Sequence, residues 1–144
     1  MKIMGKLPSD IHADSQTDSI TQVLAENPQV IFACLVGSRA EGRAKPGSDW
    51  DIAVWSDPAI TPWHRHAGLC SVQHALASAL RLSDSAVDVI DLNAAGLAMR
   101  LEVANNGVLL KQDGASVFNR FLVRVWREQE DLAYANALGA RLAA

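Results

Sequence analysis

Seven consecutive apolar residues, Val30 to Val36, run directly into Gly37-Ser38, and after ten further residues come Asp49 and Asp51 with only Trp50 between them. A run this short and continuous fits a strand covered on both faces, because a strand with one wet face alternates polar and apolar residues. Gly37 ends the run, and Ile52-Ala53-Val54 starts another just after the aspartates. The stretch therefore predicts a strand, a glycine-rich loop from Gly37 to Gly47, and a second strand over about Asp49 to Val54.

The remaining periodicity supplies partners for these strands. Asp18 as a cap, Ile20, Val23 and Leu24 at helical spacing, and Asn27-Pro28 as a stop predict a short first helix. Residues 1–16 are polar around Pro8 and lack periodicity, so a flexible amino-terminal arm is expected ahead of a domain over 17–144. From Pro62 to Leu82, Leu69, Val72, Leu76 and Leu80 mark the buried face of a second helix. Val87 to Leu92 reads as a third strand, Asn93 as the cap of a helix to about Asn105, and Val108 to Lys111 as a fourth strand. A last helix, about Ala115 to Leu138, packs through Phe118, Phe121, Leu122 and Val125. Strands alternating with helices in 144 residues predict a single α/β (α+β) domain, a short mixed sheet packed against helices.

Charge narrows the function classes. The formal net charge is −3, which argues against direct, stable nucleic-acid binding, because affinity for a phosphate backbone comes from clustered Lys and Arg. Any nucleotide has to be gripped by a local site. No stretch approaches the roughly 18 uninterrupted apolar residues of a membrane span. Met1 to Ser15 lack the apolar core of a secretory signal, so the cytoplasm is the expected location. Cys34 and Cys70 have neither metal-ligand spacing nor a disulfide framework around them, and both are expected to be buried thiols.

The chemistry concentrates between Gly37 and Val54. Asp49 and Asp51 are two apart at the start of a strand, so their side chains leave the same face. Left alone the two carboxylates repel and one is driven towards protonation, whereas a divalent cation keeps both ionised. Hard oxygen ligands of this kind suit magnesium, which completes its shell with water and substrate phosphates. Upstream, Gly37 permits a tight turn and Ser38 offers a hydroxyl and an N–H, together a cradle for phosphate. Arg39, Arg43 and Lys45 add positive charge, with Arg39 best placed because it adjoins Ser38. A third carboxylate is expected on a neighbouring strand, where Asp88 and Asp91 stand on opposite faces. Asp88 is preferred: it lies mid-strand between apolar residues, where a charge is costly unless paired or metal-bound. Asp91 sits at the strand end, where a capping role suffices.

Gly-Ser, ten residues, Asp, one residue, Asp resembles the signature of the DNA polymerase β-like nucleotidyltransferase superfamily, and Val87-Asp88-Val89 fits its third acid. At average residue usage the four fixed residues recur by chance roughly once per thousand chains of this length. Within the superfamily, Gly37–Val54, Val87–Asn93 and Arg100–Lys111 resemble the minimal nucleotidyltransferase (MNT) antitoxins paired with HEPN toxins in type VII toxin–antitoxin systems. The resemblance extends over roughly Val30 to Asp131. It implies the nucleotidyltransferase fold, ATP as donor, a tyrosine of the cognate HEPN toxin as acceptor, and a hetero-oligomer with that toxin. It further implies two magnesium ions held by Asp49, Asp51 and Asp88, with Asp88 helping to accept the hydroxyl proton and Gly37, Ser38 and Arg39 binding the triphosphate. Trp50 departs from the smaller aliphatic residue more usual between the aspartates and is expected to point away from them.

Two other functions compete. A small-molecule acceptor usually comes with an added acceptor-binding domain, whereas residues 112–144 read as one helix and a tail. A non-catalytic antitoxin would neutralise by binding alone, against which the three carboxylates speak. His64 and His66 cannot share a helix face and are not read as metal ligands. Arg120, Arg124 and Arg127 do share one, with Glu128 and Asp131 in reach, and read as a solvated, salt-bridged face. Tyr134, the single tyrosine, is not read as a self-acceptor.

Overall fold

The computed structural model describes residues 2–3 and 11–143, with side-chain exposure given for residues 15–143. In chain order the elements are β1 (Lys2–Ile3), α1 (Ile11–Ala25), β2 (Val30–Val36), β3 (Trp50–Ser56) and α2 (Pro62–Leu80), followed by a 3-10 turn (Asp84–Ala86). Then come β4 (Val87–Asp91), α3 (Leu97–Asn106), β5 (Val108–Gln112) and α4 (Val117–Ala143). The strands form one mixed sheet in the order β1-β5-β2-β3-β4. The pairs β2–β3 and β2–β5 are antiparallel, whereas β3–β4 and β1–β5 are parallel. A parallel neighbour needs a crossover, and α2 supplies it between β3 and β4.

The period-2 alternation of strands sorts the core into two layers. Trp50, Ile52 and Val54 of β3, with Val87 and Val89 of β4, face Ile20 and Leu24 of α1 and Leu69, Val72 and Leu76 of α2. Ala53 and Trp55, with Phe32, Cys34 and Val36 of β2, face Val103 of α3 and Phe118, Phe121, Leu122 and Val125 of α4. The register shift between Val30 and Phe32 lets Val30 join the first layer although it has the parity of the second. Both faces of the central strands are covered, as the continuous apolar run of β2 predicts. Phe32 meets Phe118 and Phe121 at ring-centroid separations of 5.3 and 5.0 Å, the aromatic centre of the second layer.

Several local expectations change in three dimensions. The first helix begins at Ile11, so Asp18 lies inside it and not at its cap. Of its described side chains, Ile20 and Leu24 are buried. Of the expected arm over residues 1–16, residues 1 and 4–10 lie outside the described residues; within the rest, Lys2–Ile3 pair with β5 and α1 has begun. Asn93 does not cap α3, which starts at Leu97 after Gly96. Its amide instead exchanges two hydrogen bonds with Ser56, accepting from the N–H at 2.8 Å and donating to the carbonyl at 3.0 Å. Cys34 is buried as expected, its thiol pushed up to about 12 by burial. Cys70 is exposed, because it follows Leu69 on α2 and turns about 100° away from the buried face.

Candidate active site

The turn after β2 brings the candidate residues together. Gly37 takes φ 74°, a left-handed conformation that glycine adopts without penalty. Its bare Cα lies against the next strand: a Cβ built there would overlap Oδ2 of Asp51. The chain then curls through Ala40 N–H to Gly37 carbonyl and Arg43 N–H to Ser38 carbonyl bonds of 3.1 and 2.9 Å. Among the described residues, the N–H groups of Ser38 and Arg39 donate to no backbone carbonyl. Two adjacent N–H groups just after the left-handed Gly37 are thus left available to an anion.

The far end of the loop is closed by a second turn. Ser48 N–H donates to the Lys45 carbonyl at 2.9 Å, and Lys45 N–H to Ser48 Oγ at 2.8 Å. Arg39 crosses between the two ends, donating to the Ser48 carbonyl and lying over the ring of Trp50. Trp50 itself points into the α1/α2 layer, away from the carboxylates, and its Nε1 is a buried donor without a partner among the described residues.

Asp49 is exposed just ahead of β3, and Asp51 is half-buried on the strand. The parallel register sets Asp51 directly beside Asp88 of β4, on the face that carries α3 and α4. Neighbouring strands run roughly 4.8 Å apart, so the two carboxylates are close neighbours. Burial, then the charge of Asp88, then that of Asp49 hold the Asp51 carboxyl above its ordinary value. A divalent cation would offset both the burial cost and the repulsion from the neighbouring carboxylates. Among the described residues, no group of three or more His, Cys, Asp or Glu side chains is placed to hold a metal ion, so the side chains of Asp49, Asp51 and Asp88 do not converge on one point.

Asp91 does something else. It lies on the α2 face, where Arg65 donates to its Oδ2 at 2.9 Å, while Oδ1 accepts from the Asn93 N–H at 3.1 Å. The structure therefore brings Gly37, Asp49, Asp51 and Asp88 to one end of β2, β3 and β4, with Ser38 next along the chain, whereas the Arg39 guanidinium lies over Trp50 on the α1/α2 side of the sheet and Asp91 is held in a structural pair. Sequence reading missed Arg65 as the holder of Asp91; only the docking of α2 on β4 reveals it. The histidines of α2 are engaged locally, His64 with Thr61 and His74 with Asp84. Glu128 pairs with Arg100 of α3 and not along its own helix. This hydrogen bond holds its carboxyl below the ordinary value.

The fold agrees with what the chain resembles. The family described as "Polymerase beta, Nucleotidyltransferase" matches residues 18–114. The chain is 25% identical over 107 residues to the protein adenylyltransferase MntA of Aphanizomenon flos-aquae (strain 2012/KM1/D3), covering 72% of this chain and 71% of that protein. A chain from a crystal structure of a toxin–antitoxin with AMP-PNP superposes with a TM-score of 0.68 at 25% identity, over 89% of this chain and 98% of its own. The same fold recurs in the complex of a tri-AMPylated Shewanella oneidensis HEPN toxin with MNT antitoxin, at a TM-score of 0.62 and 24% identity over 90% and 97% of the two chains. The family match spans more than half of the chain and encloses the strand, loop and paired carboxylates described above: the chain belongs to the polymerase β nucleotidyltransferase family.

Proposed function

We propose that this chain is a magnesium-dependent adenylyltransferase that moves AMP from ATP to a tyrosine of a cognate HEPN toxin and thereby acts as its antitoxin. The observation that carries the reading is the alignment of Asp51 with Asp88 across β3 and β4, with Gly37 pressed against Asp51. The name of the MntA relative and the nucleotide analogue in the similar toxin–antitoxin structure support it.

Asp49, Asp51 and Asp88 would hold two magnesium ions, which when bound offset negative charge on the reacting phosphates. Gly37 and Ser38 receive the triphosphate with backbone N–H groups and the Ser38 hydroxyl. Arg39 keeps Nη1 for a phosphate oxygen, because its Nε and Nη2 are committed to Ser48. The tyrosine oxygen bonds to the α-phosphorus in line with the departing pyrophosphate, whose bridging P–O bond breaks. Asp88 accepts the hydroxyl proton. A cytoplasmic location goes with this reading, and among the described residues no helix is long and apolar enough to cross a membrane.

Incubation with ATP, magnesium and the cognate HEPN protein tests it. The partner should gain mass in steps of one AMP residue, and label should follow the α-phosphate and not the γ-phosphate. Asp49→Ala with Asp51→Ala should abolish both signals and restore toxicity. A partner that stays unmodified yet is fully neutralised by the double variant would make the chain a binding module, and label on a small molecule would change the acceptor.

A further inference from the structure

Nine large hydrophobic side chains are exposed among the described residues, and six of them lie on α4: Val123, Trp126, Leu132, Tyr134, Leu138 and Leu142. Beyond Val125, its last buried residue, every described side chain of α4 is exposed. Past Glu128, which Arg100 of α3 still holds, the helix runs clear of the other described elements for roughly 20 Å at 1.5 Å per residue. A helix of that length without packing is only marginally stable in water, and its exposed apolar side chains call for a cover.

One line along α4, read at steps of three and four residues, shows what the cover must look like. It carries Arg120, Arg124 and Arg127 first, then Tyr134, Leu138 and Leu142, with Asp131 between the halves. None of the three arginines pairs with a carboxylate among the described residues, because Glu128 is taken by Arg100. At its start the line borders a groove of about 200 Å³ lined by Trp55 and Phe121 and edged by Arg120 and Arg124.

We propose that this line is the docking surface for a separate protein chain presenting a helix with carboxylates against the arginine half and apolar side chains against Tyr134, Leu138 and Leu142. The inference rests on the antitoxin reading, under which that chain is the HEPN protein. A second copy of this chain is the wrong occupant. Packed in parallel, its arginines would meet their own copies; packed antiparallel about Asp131, that carboxylate would meet itself and Arg124 would lie on Leu138. A nucleic acid would satisfy the arginines and leave Leu138 and Leu142 bare.

The test measures binding of the cognate HEPN protein by calorimetry to three variants: Leu138→Asp with Leu142→Asp, Arg120→Glu with Arg124→Glu, and Asp49→Ala with Asp51→Ala. Each α4 variant changes only exposed residues and should melt at the wild-type temperature. Each should raise Kd at least about tenfold. Added salt should weaken the wild-type complex more than the arginine variant. The Asp49/Asp51 variant should bind normally while transferring nothing, so docking and catalysis read out separately. α4 variants that bind like the wild type overturn the docking surface and leave the reaction standing. A wild-type chain that ignores the HEPN protein, and instead dimerises or binds RNA through α4, overturns the surface together with the antitoxin reading.

Discussion

The Arg39 guanidinium lies 4.1 Å over the Trp50 ring while its Nε and Nη2 both donate to the Ser48 carbonyl, at 3.1 and 2.7 Å. One side chain thus ties the start of the glycine-rich loop to the residue before Asp49. Arg39→Gln removes the stack and the forked donation together, at a cost of about 1–2 kcal/mol. Thermal melts should show that loss, and a trypsin time course should show faster cleavage after Arg43; Lys45 is followed by Pro46 and is not a cleavage site. Trp50→Leu should free the loop to the same degree, and combining the two should not speed cleavage further. An Arg39 that served phosphate alone would leave the trypsin rate of the nucleotide-free protein unchanged.

Gly37→Ala should be more damaging than its size suggests. The substitution places a Cβ against Asp51 Oδ2 and forces a left-handed φ of 74° on a residue that resists it. A cost of about 1–3 kcal/mol is expected from the conformation and the displacement of Asp51. Melting should register the first effect, and weakened magnesium-dependent binding of an ATP analogue the second.

The pH dependence of Asp51 has a definite sign. Its carboxyl is held above the ordinary value of 3.8, so between those two values the folded state binds more protons than the unfolded chain. In metal-free protein its contribution to stability is therefore full below the unfolded value and is lost as pH rises through the folded one. Asp51→Asn, which cannot ionise, should melt higher than the wild type at neutral pH without metal. The difference should close as pH falls towards 3.8. Magnesium should raise the melting temperature of the wild type and not of the variant.

Asp88 and Asp91 should separate function from stability. Asp91→Asn weakens a half-buried pair with Arg65 and should cost about 1–3 kcal/mol while most transfer activity persists. Asp88→Asn relieves repulsion on Asp51, so it should not destabilise the metal-free protein, and it should abolish transfer. Melting curves and AMP transfer measured on the same two preparations decide this; the reverse pattern would move the third acid to Asp91.

Local pattern carried the framework. The continuous apolar run made β2 legible, the alternation after Asp49 made β3 legible, and the spacing Phe118, Phe121, Leu122, Val125 identified the packing face of α4. All three depend on short-range periodicity, which a chain displays before it folds. The extent of α1 was less visible, because the polar run from Asp14 to Ser19 leaves no continuous apolar stripe to read.

The sequence by itself therefore determined the strand–loop–strand segment and the opposite faces of Asp88 and Asp91. Tertiary structure alone decided the partners. Sheet register put Asp88 beside Asp51, the docking of α2 gave Asp91 to Arg65, and the crossing of α3 with α4 took Glu128 from its own helix to Arg100. It also turned Arg39 onto Trp50 and left Cys70 in solvent. The physical reason is the same in each case: backbone period determines the face from which a side chain leaves its element, whereas its partner depends on how elements distant in sequence are shifted and rotated against one another.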